Sequence, residues 1–226
     1  MKAYPLFILF LIISPVLAQN LQLHYADGPD NPYVMSTLEM FKPTPKGAWF
    51  WFVDIDYNSE RKSASTAYWE IIRYCNLPLL DGKWQWKIEY NDGLTIGGSG
   101  EDIWGLPLGS AWLTGFGYPV NLGAITLQTD LAFRYMDISR RPDWQLTLSW
   151  FESWFNDKLV CTGYVDFWSQ DQEGVKKWMV FFEPQFWVMF NEVLGLGGEL
   201  RITRNFLPQY GDVWKVFPTI GVKCIF

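Results

Sequence analysis

The sequence predicts an all-β protein, a single antiparallel up-and-down transmembrane β-barrel of about twelve strands. Three observations predict it. Apolar and polar residues alternate with period two along most of the chain, the pattern of strands with one apolar and one wet face. After residue 18 no stretch reaches the roughly 20 consecutive apolar residues of a spanning helix, and the best candidate, 178–190, is interrupted by Glu183, Pro184 and Gln185. Aromatic residues make up 19% of the 226 residues, with 14 Trp, 17 Phe and 11 Tyr. They gather towards the ends of the alternating segments, where amphipathic rings meet lipid headgroups.

Residues 1–18 read as a secretory signal: Lys2 is the positive start, Tyr4 to Leu17 the apolar run, and Val16-Leu17-Ala18 the small-residue cleavage pattern. The barrel then spans 19–226. Its first strand, 20–26, ends at the turn signal Gly28-Pro29, and the second and third, 33–42 and 48–57, flank the turn residues Pro43 to Gly47. The fourth, 66–76, follows a polar stretch. In the fifth, 83–91, Trp84, Trp86, Ile88 and Tyr90 alternate with Gln85, Lys87, Glu89 and Asn91. The segment Asp92 to Gly109 reads as the longest loop. In the sixth and seventh strands, 110–118 and 124–136, the clearest pattern sets Leu127, Leu131, Phe133 and Tyr135 opposite Gln128, Asp130 and Arg134. The eighth, 143–155, opposes Trp144, Leu146, Leu148 and Trp150 to Gln145, Thr147 and Ser149. The ninth and tenth are 158–168 and 175–190, and 191–198 reads as a connection because of its glycines. The eleventh is 199–205. In the twelfth, 213–226, Trp214, Val216, Pro218, Ile220, Val222, Cys224 and Phe226 share a face, with Lys215, Thr219 and Lys223 on the other.

The strand count is even, and short connections on one rim alternate with longer ones on the other, the plan of a bacterial outer-membrane barrel. Two aromatic girdles are expected. Trp49, Trp51, Trp84, Trp86, Trp154, Phe155, Trp187 and Phe190 flank the short-turn rim; Trp112, Trp144 and Trp168 flank the other. The closing Phe226 resembles the C-terminal signature that such barrels present to the barrel-insertion machinery. The expected location is the outer membrane, with lipid around the wall.

Composition excludes several functions. A net charge of −6 offers no basic face to nucleic acid. One His and three scattered cysteines, Cys75, Cys161 and Cys224, give no zinc-site or thiol-redox spacing. No cofactor is expected, and the cysteines read as small apolar side chains.

Parity assigns the inward face. With Trp51, Val53 and Ile55 towards lipid, Phe50, Phe52, Asp54 and Asp56 point inward. Glu70, Lys87, Glu89, Asn91, Asp130, Arg134, Glu199, Arg201, Lys215 and Lys223 follow by the same rule. A basic residue turned to lipid at the midplane costs about 2–4 kcal/mol, an acidic one less, which holds these charges inside. Two readings of them stand side by side: a solute path, or an internal salt-bridge network filling a closed barrel. Asp54 and Asp56 have the spacing to accept from neighbouring sugar hydroxyls or to hold a cation, and equally to pair with lumenal Lys and Arg. Phe50 and Phe52 offer stacking surface or packing volume. An outer-membrane lipid hydrolase or acyltransferase would build a nucleophile from His24 and Ser36, although no third orienting group is assignable. A structural or adhesive barrel is the remaining class.

The segments Ser36 to Phe41, Trp49 to Asp56, Tyr68 to Arg73 and Trp112 to Pro119 resemble, in this order, strands of the nucleoside-specific channel-forming (Tsx-like) outer-membrane proteins. The resemblance implies a monomeric twelve-stranded barrel with a narrow lumen that passes nucleosides. Where that family carries an aromatic and a basic residue before Gly-Pro after the first strand, this chain has Ala26 and Asp27.

Overall fold

The computed structural model describes residues 19–27, 32–58, 63–78, 81–98, 102–137, 139, 142–172, 175–206 and 210–226. The expected signal segment, 1–18, lies outside them, as does the Gly28-Pro29 turn. The strands are β1 Gln19–Asp27, β2 Pro32–Thr44, β3 Gly47–Asn58, β4 Ser63–Asn76, β5 Gln85–Gly97, β6 Trp104–Pro107, β7 Ala111–Asn121, β8 Thr126–Met136, β9 Asp143–Trp154, β10 Leu159–Gln172, β11 Val175–Met189, β12 Leu194–Arg204 and β13 Lys215–Ile225. All pairings are antiparallel between neighbours, and β1 closes on β13, so the sheet ends on itself. The wall is a closed barrel of 12 strands. The short β6 stands outside that count, because it pairs only with the last residues of β5 while the first half of β5 pairs with β7.

Closure explains why this sequence is stable in lipid. Each of the 12 wall strands finds a partner on both sides, leaving no open sheet edge of bare N–H and C=O groups in a medium without water. No described helix is long and apolar enough to cross a membrane, and the chain crosses with strands. The alternation sorts the side chains as parity requires. On β1, Leu21, Leu23 and Tyr25 are 46%, 48% and 49% exposed, whereas Gln22 and His24 between them are buried. An apolar outside and a polar inside invert the arrangement of a water-soluble barrel.

Three expectations are corrected. Asp92 to Gly109 is not one loop: β5 continues to Gly97, and β6 folds back on it, Gly97 opposite Trp104. The 191–198 connection is shorter than expected, because β12 starts at Leu194 and pairs with both neighbours through Gly195 and Gly197. These glycines serve packing rather than a turn. A Cβ on Gly197 would meet the carbonyl oxygen of Phe186 and, at 2.8 Å, the ring of Trp187. The third correction concerns the girdles. Trp187 and Trp168 are 0% and 5% exposed and face inward, whereas Trp49, Trp86, Trp112 and Trp154 face out. On the long-loop side the outer aromatic band is built by Tyr90 against Trp112, with ring centroids 4.6 Å apart, and by the stacked pair Phe167 and Trp178 at 5.1 Å.

Candidate functional site

Two charge clusters sit on separate stretches of the lumenal wall, one on β5 to β8 and one on β11 and β12. The first forms around Lys87, which alternation on β5 turns inward with Glu89 and Asn91. Its Nζ lies 2.6 Å from Glu89 Oε2 and 3.2 Å from Asp130 Oδ2. Tyr74 donates its hydroxyl to Asp130 Oδ2 at 2.6 Å, and Gln128 donates to Oδ1 at 2.7 Å. Lys87 and Asp130 belong to strands separated by β7, and they meet because β7 presents Gly115 and Gly117 to the lumen between them. A side chain at Gly117 would collide with the Asp130 carboxylate. All three charged groups are at most 2% exposed.

Arg201 on β12 organises the second cluster. Its Nε donates to Glu183 Oε2 at 2.9 Å and its Nη2 to Glu199 Oε1 at 3.4 Å, with the ring of Phe181 at 5.5 Å from the guanidinium carbon. Below it Trp187 reaches across Gly197 and Gly221 to meet His24 edge-on at 5.4 Å, and Lys223 sits over its ring at 4.9 Å. The glycine lane on β12 and β13 does for Trp187 what β7 does for Lys87. Close-packed walls of this kind are costly to perturb, since an added side chain must displace backbone or a buried ring.

A third group of carboxylates has no cationic partner at hydrogen-bond distance among the described residues. Asp54 accepts from Thr37, Glu70 from Tyr68 at 2.7 Å, and Asp166 from Thr147. Asp54, Asp56, Glu70 and Asp166 are half-buried, as is Arg201, whereas Lys87, Glu89 and Asp130 are at most 2% exposed. These carboxylates line the lumen along β3 and β4 and, across from them, along β10. Arg134 on β8 lies in the same region with its guanidinium 4.9 Å from the ring of Trp168.

The inward residues named from parity thus fall into different environments. Lys87, Glu89 and Asp130 come together, as do Glu199 and Arg201. Asp54, Asp56 and Glu70 line the incompletely filled side. Phe50 and Phe52 pack on each other at 6.0 Å, with Phe52 buried and Phe50 half-buried, so Phe52 fills volume and Phe50 keeps an accessible face. Lys215 sits over Tyr210 at 4.2 Å.

The His24 and Ser36 nucleophile does not assemble. Both ring nitrogens of His24 are engaged, Nδ1 with Thr219 Oγ1 and Nε2 with Gln22 Oε1, each at 2.9 Å. Ser36 pairs in register with Leu23 on the outer face and bonds Tyr57 at 3.1 Å.

Several lumenal residues were not among the expected ones: Glu183, Gln185, Asp166 and Tyr68. Glu183 and Gln185 were hidden in a stretch whose inward positions also hold Phe181 and Trp187. Asp166 was legible by parity from its outward neighbours Val165 and Phe167.

An apolar outer band around a charged interior defines a transmembrane β-barrel of the outer-membrane type. Its solved likenesses agree in fold. The KdgM porin matches with a TM-score of 0.53 at 7% identity over 92% of this chain and 98% of that one. The NanC porin matches with a TM-score of 0.54 at 11% identity over 92% and 99%. A KdgM structure in complex with disordered oligogalacturonate matches at 0.51 and 8% identity over 92% and 98%. The chain belongs to the family described as domain of unknown function DUF5020, whose model matches residues 18–226. Comparison with curated proteins gives no match.

Proposed function

We propose that this protein is a passive channel of the outer membrane for small polar solutes, acting without cofactor or catalysis, and that residues 1–18 are a leader removed before assembly. The observation that carries this reading is the incompletely filled side of the lumen, where Asp54, Asp56, Glu70 and Asp166 remain half-buried while the Lys87, Glu89 and Asp130 cluster is sealed. The likeness to porins supports it. Transit needs contacts that are favourable enough to admit a solute and weak enough to release it, and single carboxylates held by one hydroxyl meet that need better than paired ones. Phe50, Asp54, Asp56 and Glu70 line the proposed path on one wall and Arg134 and Arg201 on the others, with Phe52, Lys87, Glu89, Asp130 and Glu199 bracing the wall. Nucleosides are the solute implied by the Tsx-like resemblance; here Phe50 offers the accessible ring face, and Asp54 with Asp56 the acceptors for ribose hydroxyls.

A sealed structural barrel is the competing reading. It is favoured by the near-zero exposure of Lys87, Glu89, Asp130, His24 and Trp187. Swelling of vesicles containing the refolded protein separates the two. A channel admits ribose and uridine, with rates that fall as solute size rises, while a sealed barrel leaves protein-containing and empty vesicles alike.

A further inference from the structure

Among the described residues, the buried side-chain atoms without a hydrogen-bond partner are Asn91 Oδ1, Arg134 Nε and Arg134 Nη1. They point to one place. Asn91 on β5 and Arg134 on β8 both face the lumen, separated by β7, where Ala111 pairs with Asn91 and Leu113 with Arg134. Ala111 and Leu113 are both buried on β7, and Glu70 links the two polar groups: it is the register partner of Asn91 on β4 and lies within electrostatic range of Arg134. An acceptor without a donor and donors without an acceptor thus share one part of the lumen. Orphaned buried groups of this kind are rare in folded proteins and carry a desolvation cost.

The surroundings restrict what would satisfy them. The face of Trp168 holds the Arg134 guanidinium at 4.9 Å, and the charged groups within electrostatic range are carboxylates, Asp166, Glu89 and Glu70, with the phenol of Tyr68 beside them. Glu70 and Asp166 each accept one hydroxyl hydrogen bond, from Tyr68 and Thr147, and a carboxylate has room for more. Glu89 is matched by Lys87, so an anionic solute would meet the two unpaired carboxylates Glu70 and Asp166 beside Arg134. A hydroxyl accepts from arginine while donating to an amide oxygen or a carboxylate, so it meets both needs together.

We propose that Arg134 and Asn91, with Glu70 and Asp166, form a binding site for an uncharged saccharide within the lumen, and that the site discriminates against the corresponding uronate. The proposal rests on solute reaching the lumen, but its test does not require conduction. Binding is measured by calorimetry on the full chain folded in detergent, with glucose, ribose, uridine and galacturonate as probes. The expected result is weak binding of glucose or ribose, at least about tenfold weaker binding of galacturonate, and loss of binding in Arg134→Met and in Asn91→Leu. Heat-modifiability checks the fold of both variants, and Arg134→Lys, which keeps a cation beside Trp168 but loses the guanidinium donors, should also lose binding and carries the test if Arg134→Met does not fold. Binding of uridine but of neither free sugar would transfer the site to the base and overturn the saccharide assignment. Tighter binding of galacturonate than of glucose, binding unchanged in both variants, or no binding of any probe would also overturn it, the last leaving only water to fill the gap. Saccharide binding without vesicle swelling would instead uphold the site and defeat the channel.

Discussion

Replacing Lys87 by methionine is expected to destabilise the folded barrel by about 3–5 kcal/mol, the range for breaking one partner out of a buried ion cluster. The reason is the charge left behind. Glu89 and Asp130 are at most 2% exposed, and Lys87 is the cation that both approach. Tyr74 and Gln128 would still donate to Asp130, but Glu89 would keep no comparable partner. Neutralising the carboxylates as well, in Lys87→Met combined with Glu89→Gln and Asp130→Asn, should recover most of the loss. Urea unfolding followed by tryptophan fluorescence in detergent measures both. An unchanged midpoint in the single variant would mean that the cluster is hydrated and not buried.

Leu131→Arg is expected to lower the yield of inserted barrel through a cost of about 2–4 kcal/mol near the bilayer centre. Leu131 is the middle residue of β8, is 57% exposed, and pairs with Phe116 and Leu146 on the outer face. Three residues earlier, Gln128 faces the lumen, so Gln128→Arg should insert normally. The ratio of heat-modifiable to unfolded bands after refolding into vesicles checks this pair. Equal yields would show that the faces are exchanged, since a slip of one residue turns every side chain over.

Much of this architecture is legible from alternation alone, because a strand with lipid on one side tolerates few exceptions. On β5 the partition of Trp86, Ile88 and Tyr90 from Lys87, Glu89 and Asn91 needs no coordinates. Glycines mislead where local signals and tertiary packing compete: 191–198 looks like a turn, yet Gly195 and Gly197 are strand residues cleared for Met189 and Trp187. Tryptophan misleads for a related reason. An aromatic at a strand end suits either the membrane interface or the lumen, and only parity within β10 and β11 distinguishes Trp168 and Trp187 from the girdle residues. Partners across the lumen were not legible. Tyr74 and Asp130 lie 56 residues apart, and their contact depends on the register of four strands and on two glycines between them.

Single-channel recording in a planar bilayer tests the central claim, that a hydrated path runs beside the sealed ion pairs, most directly. Small, discrete current steps are predicted for the wild-type barrel, reduced in size when Asp54, Glu70 and Asp166 are all changed to their amides, since these half-buried carboxylates would be the groups that attract cations to the path. A correctly inserted, heat-modifiable barrel that passes no current at any voltage the bilayer withstands would contradict it.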